Sequence, residues 1–408
     1  MGKRGTIKDM DDTSTEAANG PTRDAGNPAL VAHIRGEIES APDQRITFAR
    51  YMELALYHSK HGYYLAAERR PGRPGDFLTA PEATPYFGLT LARQIVECWD
   101  RLGRPEPFVV REYGAGIGGL AYDIIAGISS EAPECAAVLE YRLIEPNPHR
   151  LAQALDAMEQ VGLRGVVTAE NAATLEPITG IVLANEVADA FPVHRLVMRD
   201  GRFQERYVIW RNGWFAEEVG ELSEPARHAA ERLANEGITV PDGAAVDVSP
   251  AAADWFTTVA EGLRRGYAII IDYGYPAREL YQAHRLEGTV RGYHEHAVTD
   301  DPFQRVGDQD LTAHVDFTAL QSAGEAAGMS LAGFTTQGAF LASLRLGDLL
   351  LQLQREPGTT LPDYLAAQAA VLRLIDPGGL GRFGVLIMAK RAPVDPSLRG
   401  FAVSVPNF

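Results

Sequence analysis

Between Val109 and Ile125 the chain reads VVREYGAGIGGLAYDII. Two β-branched residues run into an acid, Gly114, Gly116, Gly118 and Gly119 crowd into six positions, and a helix-like apolar segment follows. A backbone this bare turns sharply at positive φ and lets a ligand approach the start of the next helix. The stretch therefore predicts strand, turn and helix in an α/β fold.

The flanks carry the same alternation. PFVVREYG, LAYDIIAGI, YRLIEP, PHRLAQALDAME, GVVTAEN and GIVLANEV are short apolar runs exchanging with amphipathic ones, the pattern of βαβ units and a parallel sheet covered on both faces. In such a sheet the ligand lies outside the carboxyl ends of the strands, with the first strand's turn as its floor. Further on, HRLVMRDGRFQERYVIWRNGWFAEEV places Asp-Gly and Asn-Gly between alternating segments, which predicts an antiparallel ladder appended to that sheet. YAIIIDYG and RFGVLIMAKR read as later buried strands, while TVRGYHEHAVTDDPFQRVGDQDLTAHVDF reads as irregular.

These signals divide the chain into five parts: residues 1–28 as a polar, disordered lead; 29–104 as a helical region with a Pro- and Gly-rich loop; 105–193 as the ligand-binding core; 194–265 as the inserted ladder and helices; and 266–408 as the rest of the core, with a second lid or acceptor segment at about 275–340. With 408 residues, 46% hydrophobic and 23% charged, the chain is globular. A formal charge of -16 argues against a nucleic-acid surface, and no stretch is apolar enough to span a bilayer. Two cysteines, Cys98 and Cys135, make neither a disulfide framework nor a metal site, so the expected compartment is the reducing cytoplasm. Arginine far outnumbers lysine, a bias of GC-rich bacterial genomes.

Read as letters, GAGIGG satisfies the dinucleotide pattern G-x-G-x-x-G, so a nicotinamide oxidoreductase has to be weighed. Glu112, two residues before the first glycine, opposes it: a carboxylate there would repel a pyrophosphate. A ligand with a cationic head would welcome it. S-adenosylmethionine has such a head, and Glu112, Gly114, Gly116 and Gly118 spell the E-x-G-x-G-x-G form of this turn used by methyltransferases. Glu145, ending the second strand, is placed for ribose hydroxyls in either cofactor class, or simply for the next helix's N-terminus. Glu170 and Asn171, ending the third, stand where adenine contacts are made. Asn185, Glu186 and Asp189 leave the fourth strand where an acceptor would be held, although loop polarity and capping would also account for them.

The segments ARYMELALYHSKHGYYLAAERRPGRPGDFLTAPEATPYFG, REYGAGIGGLAYDII, IVLANEVADAFPVHRLV and RGYHEHAVTDDPFQRVGDQDLTAHVDFTAL together resemble the MidA-like methyltransferases, over roughly residues 46–390. This family includes a mitochondrial complex I assembly factor that methylates arginine. The resemblance implies a class I, seven-strand, Rossmann-like sheet holding S-adenosyl-L-methionine over the glycine turn, with Asn185 and Thr79 beside it. It also implies a lid carrying Asp76, Phe77 and Glu82 and a second segment carrying Asp310, His314 and Asp316. Two departures stand out: Ala115 replaces the family's proline, and Val187 and Ala188 replace two bulkier residues.

Methyl transfer from a sulfonium needs close, dry positioning more than covalent machinery, and the chain carries no convincing nucleophile pair or metal cluster. Glu186, Asp189 and His314 are the expected catalytic residues. A guanidinium acceptor would call on Glu186, Asp189 and Glu82; a carboxylate or phenol on a natural product or peptide would call on Arg291, His296 and His314. The expected partners are thus a protein, peptide or small-molecule acceptor, without nucleic acid or membrane, and the resemblance admits a homodimer. A catalytically silent assembly protein keeping this fold is the remaining alternative.

Overall fold

The structure is a computed structural model describing residues 24–66, 84–282, 286–295 and 297–403. In chain order its elements begin with α1 (Pro28–Ser40), β1 (Arg45–Thr47) and α2 (Phe48–Tyr57), then α3 (Tyr86–Arg101). The core continues through β2 (Phe108–Tyr113), α4 (Gly119–Glu131), β3 (Leu139–Ile144), α5 (Pro148–Gln160), β4 (Val167–Ala169) and β5 (Ile178–Asn185). An inserted block follows, of β6 (His194–Arg199), β7 (Arg202–Arg211), β8 (Trp214–Gly220), α6 (Glu224–Asn235), β9 (Ala245–Val248) and α7 (Pro250–Glu261). β10 (Leu263–Asp272) returns to the core, and β11 (Gly274–Tyr275), β12 (Arg291–His294), β13 (Ala297–Thr299), β14 (Asp310–Thr312) and β15 (Val315–Asp316) are short. The chain closes with α8 (Phe317–Ala326), β16 (Ser330–Thr336), α9 (Gln337–Ser343), α10 (Gly347–Arg355), α11 (Leu361–Ile375) and β17 (Gly384–Lys390).

The central sheet has the order β16-β17-β10-β5-β2-β3-β4. β4, β3, β2, β5 and β10 run parallel; β17 is antiparallel to β10, and β16, antiparallel to β17, runs in the direction of the other five. Order and directions are those of the class I methyltransferase sheet. All six residues of β2 are buried, and Ile181–Ala184 of β5 and Ala268–Ile271 of β10 are both buried and apolar, which suits a sheet covered on both faces. One face packs Phe108, Val110, Leu183 and Ile269 beneath α3 and α4; the other packs Val109, Val182 and Ile270 against Phe256 of α7 and Leu320 of α8.

The ladder departs from expectation. β1, β7, β6 and β9, with β8 paired to β7, form their own five-stranded sheet instead of extending the central one. The reason is topological: the insertion lies between β5 and β10, which are hydrogen-bonded to each other, so the inserted strands meet no open edge. The stretch read as irregular also orders, as β13-β12-β14, where Arg291–Tyr293 pairs with Asp310–Thr312. Among the described residues no helix is long and apolar enough to cross a membrane.

Candidate active site

The glycine turn joins β2 to α4 as expected. Gly114, Gly116 and Gly118 have φ of 67°, 57° and 84°, the left-handed region that side chains other than glycine resist. A Cβ on Gly114 would lie 2.7 Å from Val187 Cγ2, so the turn is pressed against the loop leaving β5. Gly118 begins α4 with no side-chain cap, leaving the helix's amino end to its backbone N–H groups.

Glu112 lies beneath this turn, 3% exposed, and accepts a hydrogen bond from the Tyr141 hydroxyl at 2.7 Å. Burial pushes its carboxyl up to about 8, with the nearby Glu145 adding to the rise and Tyr141 opposing it. Glu145 leaves β3 and accepts from the Gly116 N–H at 2.8 Å through one oxygen and from the Asn147 N–H at 2.9 Å through the other. It thereby ties the turn to the second strand, and each of its oxygens keeps a further lone pair. Asn185 ends β5; its amide donates to Glu186 at 3.1 Å, and its buried Oδ1 has no partner. An orphaned buried acceptor at a ligand-binding strand end is the mark of a missing donor.

The third-strand residues are committed elsewhere. Asn171 is exposed and its side chain caps the following turn through the Ala173 N–H. Glu170 grips the fully buried Arg111 with two bonds of 2.6 and 2.7 Å, an ion pair that stitches β4 to β2.

Beyond β5 stands a group the sequence displayed only in part. Glu186 sits at φ 53°, a strained position for a side-chain-bearing residue, held by its N–H to Ile271 O at 2.9 Å. The next three residues hang on Asp272, at the end of β10. One carboxylate oxygen accepts the N–H groups of Val187, Ala188 and Asp189 at 3.0, 2.7 and 3.3 Å, and the other accepts that of Tyr273 at 2.7 Å. Burial raises the Asp272 carboxyl, and the backbone donors oppose it. Asp189 is held well above the carboxylate range, first by burial and then by Asp272, Asp310 and Glu186. Around these acids stand two tyrosines. Tyr64 donates to Asp310 Oδ1 at 2.8 Å, Tyr57 donates to Ala190 O at 3.1 Å, and their rings stack 5.5 Å apart. Ala313 N–H closes the group onto Asp189 O at 2.9 Å.

Of the remaining expected residues, His314 packs edge-on against Tyr273 with centroids 4.2 Å apart. Arg291 is paired with Asp300 at 2.9 Å and lines a polar groove with Arg195, Arg206 and Glu217. Asp316 caps α8 through the Ala319 N–H, accepts from Tyr281 at 3.0 Å and pairs with Arg232. Its carboxylate is therefore occupied by the fold. Asp76, Phe77, Thr79, Glu82 and His296 lie outside the described residues. Asp272, Tyr57 and Tyr64 were missed. Asp272 had a signal, since YAIIID is a buried run ending in an acid at a strand's carboxyl end; the tyrosines had none. Among the described residues no group of three or more His, Cys, Asp or Glu side chains is placed to hold a metal ion.

Sheet order, glycine turn, buried acid and strand-end acids together define a class I methyltransferase that uses S-adenosylmethionine. Residues 90–335 match a family of S-adenosyl-L-methionine-dependent methyltransferases, and the chain belongs to that family. It is 27% identical to a Drosophila melanogaster protein named protein arginine methyltransferase NDUFAF7 homolog, covering 95% of this chain and 91% of the relative. The human protein arginine methyltransferase NDUFAF7 is 25% identical over 84% of this chain and 79% of its own length. A crystal structure from Burkholderia thailandensis, bound to S-adenosyl-homocysteine, is 33% identical, with a TM-score of 0.83 over 92% of this chain and 94% of that one. The MidA-like resemblance read from the motifs is borne out, and the nicotinamide alternative falls.

Proposed function

We propose that the acceptor is a guanidinium nitrogen of an arginine in a protein or peptide. The observation that carries this reading is the crowding of Asp189, Asp310 and Glu186 beside Asp272, walled by Tyr57 and Tyr64. Like charges gathered out of water repel and hold their protons; a planar cation among them relieves the repulsion and finds bidentate carboxylates. The curated relatives named as protein arginine methyltransferases support the same acceptor.

S-adenosylmethionine, when bound over the glycine turn, supplies an electrophilic methyl group. The chain's own residues do the rest. Glu112 and Asn185 face the cofactor side, Glu145 stands at the ribose end, and Glu186 and Asp189 orient the acceptor from the end of β5. Entry of the cationic acceptor favours ionised Asp189, whose own proton leaves to solvent; as a guanidinium nitrogen is alkylated, the proton it sheds passes to that carboxylate. The hydrogen bonds from Val187, Ala188 and Asp189 to Asp272 fix the loop, so the acids are held in position before the acceptor arrives.

The test is methyl uptake from labelled S-adenosylmethionine into arginine-containing peptides and their lysine counterparts. Arginine peptides should be labelled and lysine peptides not. Asp189→Asn and Glu186→Gln should each lower kcat by at least about tenfold with S-adenosylhomocysteine affinity retained. Labelling indifferent to arginine, or unchanged turnover in both variants, defeats the reading.

A further inference from the structure

Arg382 stands two residues before β17, and the strand pairing sets Gly384 opposite Asp272. Its guanidinium therefore lies just past the carboxyl end of β10, at the end of the sheet that carries Glu186 and Asp189. Its carbon sits 4.6 Å from the centroid of the Tyr273 ring. That ring in turn packs against Phe383 at 5.4 Å and His314 at 4.2 Å, making a wall of aromatic and basic groups.

What Arg382 lacks is an anion. Arg111, Arg195 and Arg232, also drawn into the body of the protein, are each met by carboxylates: Glu170, Asp247 with Glu217, and Asp316 with Glu236. Arg382 meets none among the described residues, and its buried Nε has no hydrogen-bond acceptor. Burial alone acts on its ionisation, lowering it, with no acid to offset the loss of water. A guanidinium kept partly out of water, held over an aromatic face and without a counter-ion among the described residues, is costly to the fold unless a ligand offsets it.

We propose that Arg382 is a specificity residue that binds a carboxylate of the acceptor, on the side of the site opposite Asp189. The inference rests on the arginine reading only for the ligand's other end. β17 lies two strands from β5, so the anion and the guanidinium would stand on the order of 10 Å apart. That span is met by an arginine's own carboxyl terminus or by an acidic side chain on the adjacent residue, since one extended residue covers about 3.4 Å and the side chains supply the remainder.

The experiment is calorimetric titration of the full-length protein saturated with S-adenosylhomocysteine. The ligands are Nα-acetyl-arginine and its amide, acetyl-Arg-Asp-amide and acetyl-Arg-Asn-amide, and acetyl-norleucine as a carboxylate without a guanidinium. Wild type should bind one carboxylate member at least tenfold more tightly than its neutral counterpart. The dipeptide pair and the acid–amide pair tell a neighbouring acid from a chain terminus. Arg382→Gln should erase the difference, Arg382→Lys should keep part of it, and S-adenosylhomocysteine affinity should be unchanged in both. Equal affinities of acid and neutral ligands, equal weakening of both in Arg382→Gln, or no binding of any carboxylate overturns the inference. Lost S-adenosylhomocysteine affinity also overturns it, by assigning Arg382 to the cofactor's carboxylate. If acetyl-norleucine binds through Arg382 while the guanidinium adds nothing, the anion subsite stands and the arginine reading fails.

Discussion

Replacing Glu112 by glutamine separates what this acid costs the fold from what it gives the ligand. The gap between its ordinary value of 4.5 and about 8 favours the neutral form by roughly 5 kcal/mol, an upper figure for a wholly buried group. Because the folded chain keeps this proton where the unfolded chain has lost it, the group's contribution to stability is largest at low pH. It declines as pH rises from about 4.5 to about 8. Glutamine mimics the protonated acid and can still accept from the Tyr141 hydroxyl. Denaturant unfolding should therefore find Glu112→Gln about equal to wild type at pH 5 and more stable by about 2–4 kcal/mol at pH 8.5, the upper figure discounted for relaxation around the site. The ligand has the opposite interest. A cationic head favours ionised Glu112, so wild-type affinity for S-adenosylmethionine should rise with pH by up to tenfold per unit below about 8, with a proton released on binding. In Glu112→Gln that slope should vanish. A stability difference that does not change with pH, or an affinity slope that survives in the variant, refutes the reasoning.

Gly116→Val places a β-branched residue at φ 57° with its Cβ 2.9 Å from Arg150 Nη2. Arg150's flexible end can yield, so the protein should fold at a cost of about 1–2 kcal/mol while calorimetry finds no S-adenosylhomocysteine binding. Arg111→Met leaves Glu170 with only Arg142, at 3.3 Å, and should lower unfolding free energy by about 3 kcal/mol in urea titrations. Asp316→Ala removes a helix cap together with the partner of Arg232 and Tyr281. It should cost about 2 kcal/mol and leave S-adenosylhomocysteine affinity intact; lost affinity would return Asp316 to the site.

The chain order of residues sufficed for the nearest-neighbour parts of this protein. The glycine turn, the acid before it, and the acids at the ends of β3 and β5 are all local pattern: backbone freedom and strand period act over a few residues, so they are legible in a row of letters. The parallel core followed from the same alternation. Where the ladder goes was not legible, because that depends on β5 and β10 being partners, a pairing between residues some 85 positions apart. The proposed acceptor side is likewise a product of folding. Tyr57, Asp189, Asp272 and Asp310 come from four separated segments, and each is an ordinary residue in its own neighbourhood. Only their meeting in space, with burial acting first and Asp272 and Asp310 adding to it, raises the Asp189 carboxyl. The same holds for Glu170 and Asp316, which look like site residues in sequence and are taken up by Arg111 and Arg232 in space. Local sequence determined where the cofactor's turn would be; the tertiary structure decided which charges are spent on the fold and which are left for a ligand, because pairing and desolvation are long-range properties.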